Sequence, residues 1–109
     1  MRCKAKIEAG ICGFVTEVTA EAPDDQMVSL AIKSDCEKIT ALGEALKDKE
    51  IDGYAEIGAG SKGVILTEAC NHLSGCCAGC AVPVGIFKAM QVAARVALPK
   101  EVKIFLESE

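Results

Sequence analysis

The chain has 109 residues, 50% of them hydrophobic and 26% charged, with a formal net charge of −4. That length suits one domain, residues 1–109, with its own hydrophobic core, and that balance suits a soluble globular protein rather than a disordered one. An acidic surplus without a Lys/Arg cluster excludes the usual nucleic-acid binders, and one Tyr, three Phe and no Trp leave little for base stacking.

The first segment, "CKAKIEAG", puts Cys3, Ala5 and Ile7 on one side and Lys4, Lys6 and Glu8 on the other, the period of a half-buried strand. "FVTEVTAEA" repeats the pattern with Phe14, Thr16, Val18, Ala20 and Ala22 on one side, and "AGICG" between them is a glycine-bounded turn carrying Cys12. "PDDQ" then turns the chain into "MVSLAIKS", where Val28, Leu30 and Ile32 share a face. Three strands with short connections predict an antiparallel meander whose other face is wet, with Lys4, Lys6, Glu17 and Glu21 on it.

"SDCEKITALGEALK" opens with the letters of a capping box, Ser34 as N-cap and Glu37 at N3, and places Cys36, Ile39, Leu42 and Leu46 on one helical face. Residues 48–63 are irregular and end in "GAGSKG". A second helix is expected over "VILTEACNHL", with Leu66, Cys70 and Leu73 on its buried stripe. "CCAGC" is a loop, and Pro83 then fits the first turn of a third helix, where its missing N–H costs nothing. That helix, to about Leu98, is apolar nearly all round and should lie at the centre of the core. "EVKIFLE" (residues 101–107) reads as a closing strand with Val102, Ile104 and Leu106 facing inward. The expected class is α+β: a four-stranded, mostly antiparallel sheet in the order β-β-β-α-α-α-β, with about three helices on one face.

Residues 69–87 are uncharged but broken by Asn71, Ser74, glycines and Pro83, so they do not make a membrane span. "MRCKAKIEAG" lacks the apolar run of a secretion signal, so a cytoplasmic setting is expected. Seven cysteines in a reducing compartment point to metal ligands or redox thiols rather than disulfides.

Four of those cysteines crowd into "EACNHLSGCCAGCAVPVG" (residues 68–85), together with the only histidine. Cys77 and Cys80 form a C-x-x-C whose sulfurs can share one metal or one disulfide; a second such pair at zinc-ribbon spacing does not exist here. Cys80 and Cys36 stand at expected helix starts, where the positive end of the helix dipole favours a thiolate. Cys12 sits in a turn whose glycines allow close backbone approach. Cys3, on an apolar strand face, reads as a small hydrophobe. His72, two residues past Cys70, either completes a mixed Cys/His site or is a dipole partner at a helix C-terminus or a solvated side chain.

Two letter patterns carry no chemistry. "GAGSKG" spells G-x-G-x-x-G, but the dinucleotide fingerprint needs a preceding strand, a βαβ unit and an acidic residue about twenty positions on, where this chain has "CAVP". Asp24 and Asp25 lie at a turn, where Asp is favoured for its local hydrogen bonds.

Taken with Cys70, the stretches "AGICGF", "SDC" and "CAVPVGIFKAMQVAARVALPKEV" resemble a family of small cysteine-rich proteins with a domain of unknown function, found in anaerobic prokaryotes. The resemblance emphasises Cys12, Cys36, Cys70 and Cys80. By layout alone, the chain is also similar to iron–sulfur scaffold proteins of the IscU/NifU type, which place cysteines at an early hairpin, a strand-to-helix junction and before a late helix.

The expectation is a metal-binding protein holding an iron–sulfur cluster or zinc through Cys12, Cys36, Cys70 and Cys80, with Cys76, Cys77 and His72 as auxiliary or redox groups. The alternatives are a thiol–disulfide redox protein using Cys77 and Cys80, and a small interaction protein with buried cysteines. No catalytic residue is assigned. The partner class is a protein redox partner or cluster acceptor, with neither nucleic acid nor membrane, and monomer and homodimer both stay open.

Overall fold

The computed structural model describes residues 1–76 and 79–109. Strands β1 (Arg2–Glu8), β2 (Val15–Glu21) and β3 (Met27–Ser34) come first. They are followed by α1 (Glu37–Lys47), β4 (Ile51–Asp52), α2 (Gly53–Ala59), a 3-10 turn at Gly60–Lys62, α3 (Val64–His72) and α4 (Val82–Ala93). The sheet is four-stranded and antiparallel throughout, in the spatial order β1-β2-β3-β4. The protein is therefore α+β, as its patterning predicts.

The period of two sets the sheet. Cys3, Ala5 and Ile7 pair with Ala20, Val18 and Thr16, and Val18 and Ala20 pair in turn with Ile32 and Leu30. A single face is thus apolar, and α1 and α4 cover it. On the opposite face Arg2, Lys4, Lys6, Glu17, Glu21 and Lys33 are exposed. Helix α1 buries Ile39, Leu42 and Leu46, and α4 buries Ile86, Met90 and Ala93. Each such large side chain contributes roughly 1.5–3 kcal/mol by leaving water.

Helix α4 runs back along β1. Its first turn presses on the far end of that strand, where Gly85 leaves no room for a Cβ against Ile7. Its exit at Ala94 packs on Gly53, and Arg95 Nε donates to Asp25 Oδ1 at 2.9 Å, beside the Met1 ammonium at 3.2 Å from the same oxygen.

Five details of the expected layout differ in the structure. The fourth strand is Ile51–Asp52, which pairs with Val28 and Met27, and not residues 101–107. Those residues alternate like a strand, but a strand needs a partner edge and they have no regular structure; Ile104, Phe105 and Leu106 are 71%, 88% and 92% exposed. The stretch from residue 53 to 62 is helical, so four α-helices stand among the described residues rather than about three. The N-cap of α1 is Cys36, because Ser34 is still in β3, where its Oγ shares a 2.7 Å hydrogen bond with Thr16 Oγ1 and accepts from Cys36 N at 3.1 Å. Finally, α3 buries Ile65 and Ala69, followed by Leu73, which rotates Cys70 out to solvent. The last helix also stops sooner, at Ala93, with Arg95 in the left-handed region at φ 61°.

Candidate functional site

Ile7, Thr16 and Ser34 lie side by side across β1, β2 and β3, and mark one rim of the sheet. Two chain segments leave from it and a third packs against it. The first is the β1–β2 hairpin, closed by Ala9 N donating to Phe14 O (3.2 Å) and Gly13 N donating to Gly10 O (2.9 Å). Gly10 and Gly13 hold φ of 97° and 74°, which glycine alone adopts freely, and between them Cys12 is exposed.

The second segment is the β3–α1 junction. Asp35 N donates to Val15 O at 3.3 Å and Asp35 Oδ2 accepts from Val15 N at 3.4 Å, tying the helix start to the hairpin's return strand. Cys36 follows as N-cap, half-buried, with no side-chain cap bond.

The third is the turn before α4. Cys80 is half-buried and its N–H donates to Cys76 O at 2.9 Å. The N-cap, Ala81, offers no side-chain oxygen, and the first turn of α4 lies over Ile7. The same turn is anchored to α1: Lys38 Nζ donates to Ser74 O at 3.0 Å and to Cys76 Sγ at 3.6 Å. An ammonium therefore stands beside an exposed thiol at the rim that carries Cys36.

Cys12, Cys36, Cys76 and Cys80 thus belong to segments that meet at one rim. Cys70 stands on α3, and Cys77 lies outside the described residues. Among the described residues no three or more His, Cys, Asp or Glu side chains are gathered closely enough to hold a metal ion. His72 is engaged by its own helix, with Nδ1 2.9 Å from Glu68 O and 3.6 Å from Glu68 Oε2. Cys3 is half-buried on the inner face of β1, and burial pushes its thiol pKa up, which suits a hydrophobe better than a ligand.

The glycine-rich "GAGSKG" ends α2 and leads into α3, and no phosphate cradle forms there. The buried Glu56 carboxylate already takes the first amides of α3, accepting from Val64 N at 2.9 Å (Oε2) and Ile65 N at 2.8 Å (Oε1). An anion site at a helix N-terminus needs those N–H groups free. Gly63 is required because a Cβ there would stand 2.6 Å from Glu56 Oε2.

Residues 3–106 match the model of a family of unknown function, DUF6951. The chain belongs to that family. The DUF6951 match runs from the second residue of β1 past the end of α4 and includes all seven cysteine positions. No curated protein and no solved structure shows significant similarity to the chain. Among the described residues of this DUF6951 protein, no helix is long and apolar enough to cross a membrane.

Two features were out of reach of sequence reasoning. Lys38 and Cys76 are far apart in the chain and meet only because the α3–α4 turn folds onto α1. Glu56 carries no motif, since its partners are backbone amides across a turn.

Proposed function

We propose that the thiol rim binds a metal through Cys12, Cys36, Cys70 and Cys80, as an iron–sulfur cluster or a zinc ion. The observation that carries this reading is the shared rim: the hairpin of Cys12 and the N-cap of Cys36 leave the row of Ile7, Thr16 and Ser34, and the first turn of α4, just after Cys80, packs on Ile7. Cys70, on α3, completes four thiolates, the number that suits either group. Two helices, α1 and α4, begin here without side-chain caps, and their amide dipoles offset the negative charge that thiolate ligands accumulate. Lys38 adds a full positive charge beside the rim.

The described thiols are not already gathered, so loading requires the glycine-flanked hairpin to close over Cys36 and Cys80 and α3 to turn Cys70 inward. A site assembled on loading suits a protein that takes up and passes on its group to an acceptor protein, in the cytoplasm.

A second reading is favoured by one contact. Lys38 sets a positive charge beside Cys76, which in sequence directly precedes the Cys77/Cys80 pair, a combination suited to thiol–disulfide exchange with a protein partner. In that case the dithiol loses two electrons and two protons to the partner's disulfide.

Anaerobic purification with elemental analysis, an absorption spectrum and thiol titration separates the readings. Metal binding gives stoichiometric iron or zinc, hides four thiols until chelation, and is lost in Cys36→Ser and Cys80→Ser but retained in Cys3→Ser. The redox reading gives no metal and two thiols hidden until reduction. Reduced protein with all seven thiols titrating and no metal rules out both.

A further inference from the structure

We propose that residues 102–109 of one copy pair antiparallel with the outer edge of β1 in a second copy, and that reciprocal exchange closes a two-fold dimer. Strand β1 lies at the end of the sheet, so one row of its backbone N–H and C=O groups is unpaired among the described residues. Its inner face is also incompletely covered, with Cys3 and Ala5 only half-buried. The C-terminal segment presents the missing complement. Its Ile104, Phe105 and Leu106 are the most exposed run of large apolar side chains described, and its apolar residues alternate at strand period.

Charge selects one register. With Glu109 opposite Arg2, Glu107 falls opposite Lys4, Phe105 opposite Lys6 and Lys103 opposite Glu8, all on the wet face. Opposite charges then meet at each ionic position, and the remaining lysine stands over an aromatic ring. On the inner face the same register puts Leu106 against Ala5 and Ile104 against Ile7, extending the core by one strand. Parallel alignment does worse: when Glu101 meets Arg2, Lys103 meets Lys4 and Glu107 meets Glu8.

Geometry selects the second copy. Helix α4 ends at the rim of Met1, where Arg95 reaches Asp25. The antiparallel register needs residue 102 at Ala9, at the opposite rim, a strand length of ~23 Å away for the seven residues of β1. From Val96, whose N–H is still bonded to Gln91 O, the six links to residue 102 span at most ~22 Å fully extended, with nothing left for the turn. A neighbouring molecule meets no such limit, and two-fold symmetry lets each copy donate and accept one strand.

Sedimentation velocity of the full chain under reducing conditions tests this, with reductant removing dimers linked through exposed cysteines. Wild type is expected as a dimer and Ile104→Asp as a monomer with an unchanged circular-dichroism spectrum, because that side chain makes no core contact. Lys4→Glu and Glu107→Lys each raise the dissociation constant roughly thirty-fold, since every contact occurs twice in the dimer. Combined in one chain they restore most of the loss. A wild type that stays monomeric at every concentration, with Lys4 and Lys6 merely guarding a bare edge, overturns the proposal. So does a dimer indifferent to Ile104→Asp, or a double variant no tighter than the singles.

Discussion

The two rims of the sheet solve the same problem in opposite ways. At the rim of Met1, carboxylates take up the loose backbone donors and cations. Asp24 Oδ1 accepts from Gln26 N and Met27 N, Asp52 Oδ1 accepts from Tyr54 N and Ala55 N at the start of α2, and Asp25 joins the Met1 ammonium to Arg95. At the thiol rim, α1 and α4 begin with no side-chain cap, and the groups standing there are cysteines. One rim is closed by hydrogen bonds for stability. The other leaves two helix starts without side-chain acceptors, beside sulfur.

The largest test removes a carboxylate from a helix start. Glu56→Ala leaves the Val64 and Ile65 amides without their acceptor in a buried place, and should cost about 3 kcal/mol in urea denaturation. Glu56→Gln keeps the shape but turns an amino group toward one of the two amides, and should cost about half as much. If Glu56→Ala costs no more than Cys36→Ala, the contrast between carboxylate-held and thiol-bearing helix starts is wrong.

Next comes packing at the closed rim. A Cβ on Gly53 would stand 2.7 Å from Ala94 Cβ and 3.4 Å from Gln26 O, neither of which can rotate away. Gly53→Ala should therefore destabilise by about 2 kcal/mol, read as a lower urea midpoint at unchanged slope. Gly58→Ala, with open space around its Cβ, should stabilise slightly by comparison.

Acid separates the rims more gently. Hydrogen bonds from Gln26 N and Met27 N hold the Asp24 carboxyl below its usual value, the Met1 ammonium and then Arg95 do so for Asp25, and Ala55 N and the Gln26 side chain for Asp52. Each folded pKa lies below the unfolded one, near 3.9, so their stabilisation is complete above about pH 5 and disappears as pH falls through the folded values. Thermal midpoints should fall from pH 5 to pH 2, and Asp25→Asn should flatten part of that fall. A wild-type midpoint independent of pH in that range would remove the closed rim's electrostatic character.

How much of this was legible depends on which forces leave a local trace. The meander was readable because Val18, Ala20, Val28 and Leu30 alternate with polar residues, and α1 because Ile39, Leu42 and Leu46 recur at helical spacing. Pro83 marked the start of α4, and with it the place of Cys80. Strand β4 left no trace, since a two-residue strand is defined only by its partners Met27 and Val28. The capping-box letters misled because Ser34 is held by Thr16 across the sheet, a contact no local rule contains. Cys70 misled for a related reason: two apolar stripes compete on α3, and packing chose Ile65, Ala69 and Leu73. Cys36 could be placed near a helix start from local signals, but bringing the hairpin of Cys12 to the same rim required the strand order.

The smallest expected effect has the most informative sign. Cys36 has the extended backbone of an N-cap, φ −87° and ψ 124°, but its thiol makes no cap hydrogen bond. Serine is nearly the same shape and among the preferred N-cap residues, since its hydroxyl oxygen accepts from the amides of the first turn. Cys36→Ser should accordingly raise stability by about 0.5 kcal/mol, measured by urea denaturation of metal-free, reduced protein. A thiol held there for packing would show the reverse, a loss, because the half-buried sulfur touches the core. A gain in stability joined to loss of metal would mean that Cys36 stands at a helix start for its chemistry and against the interest of the fold, the trade that separates the thiol rim from the rim of Met1.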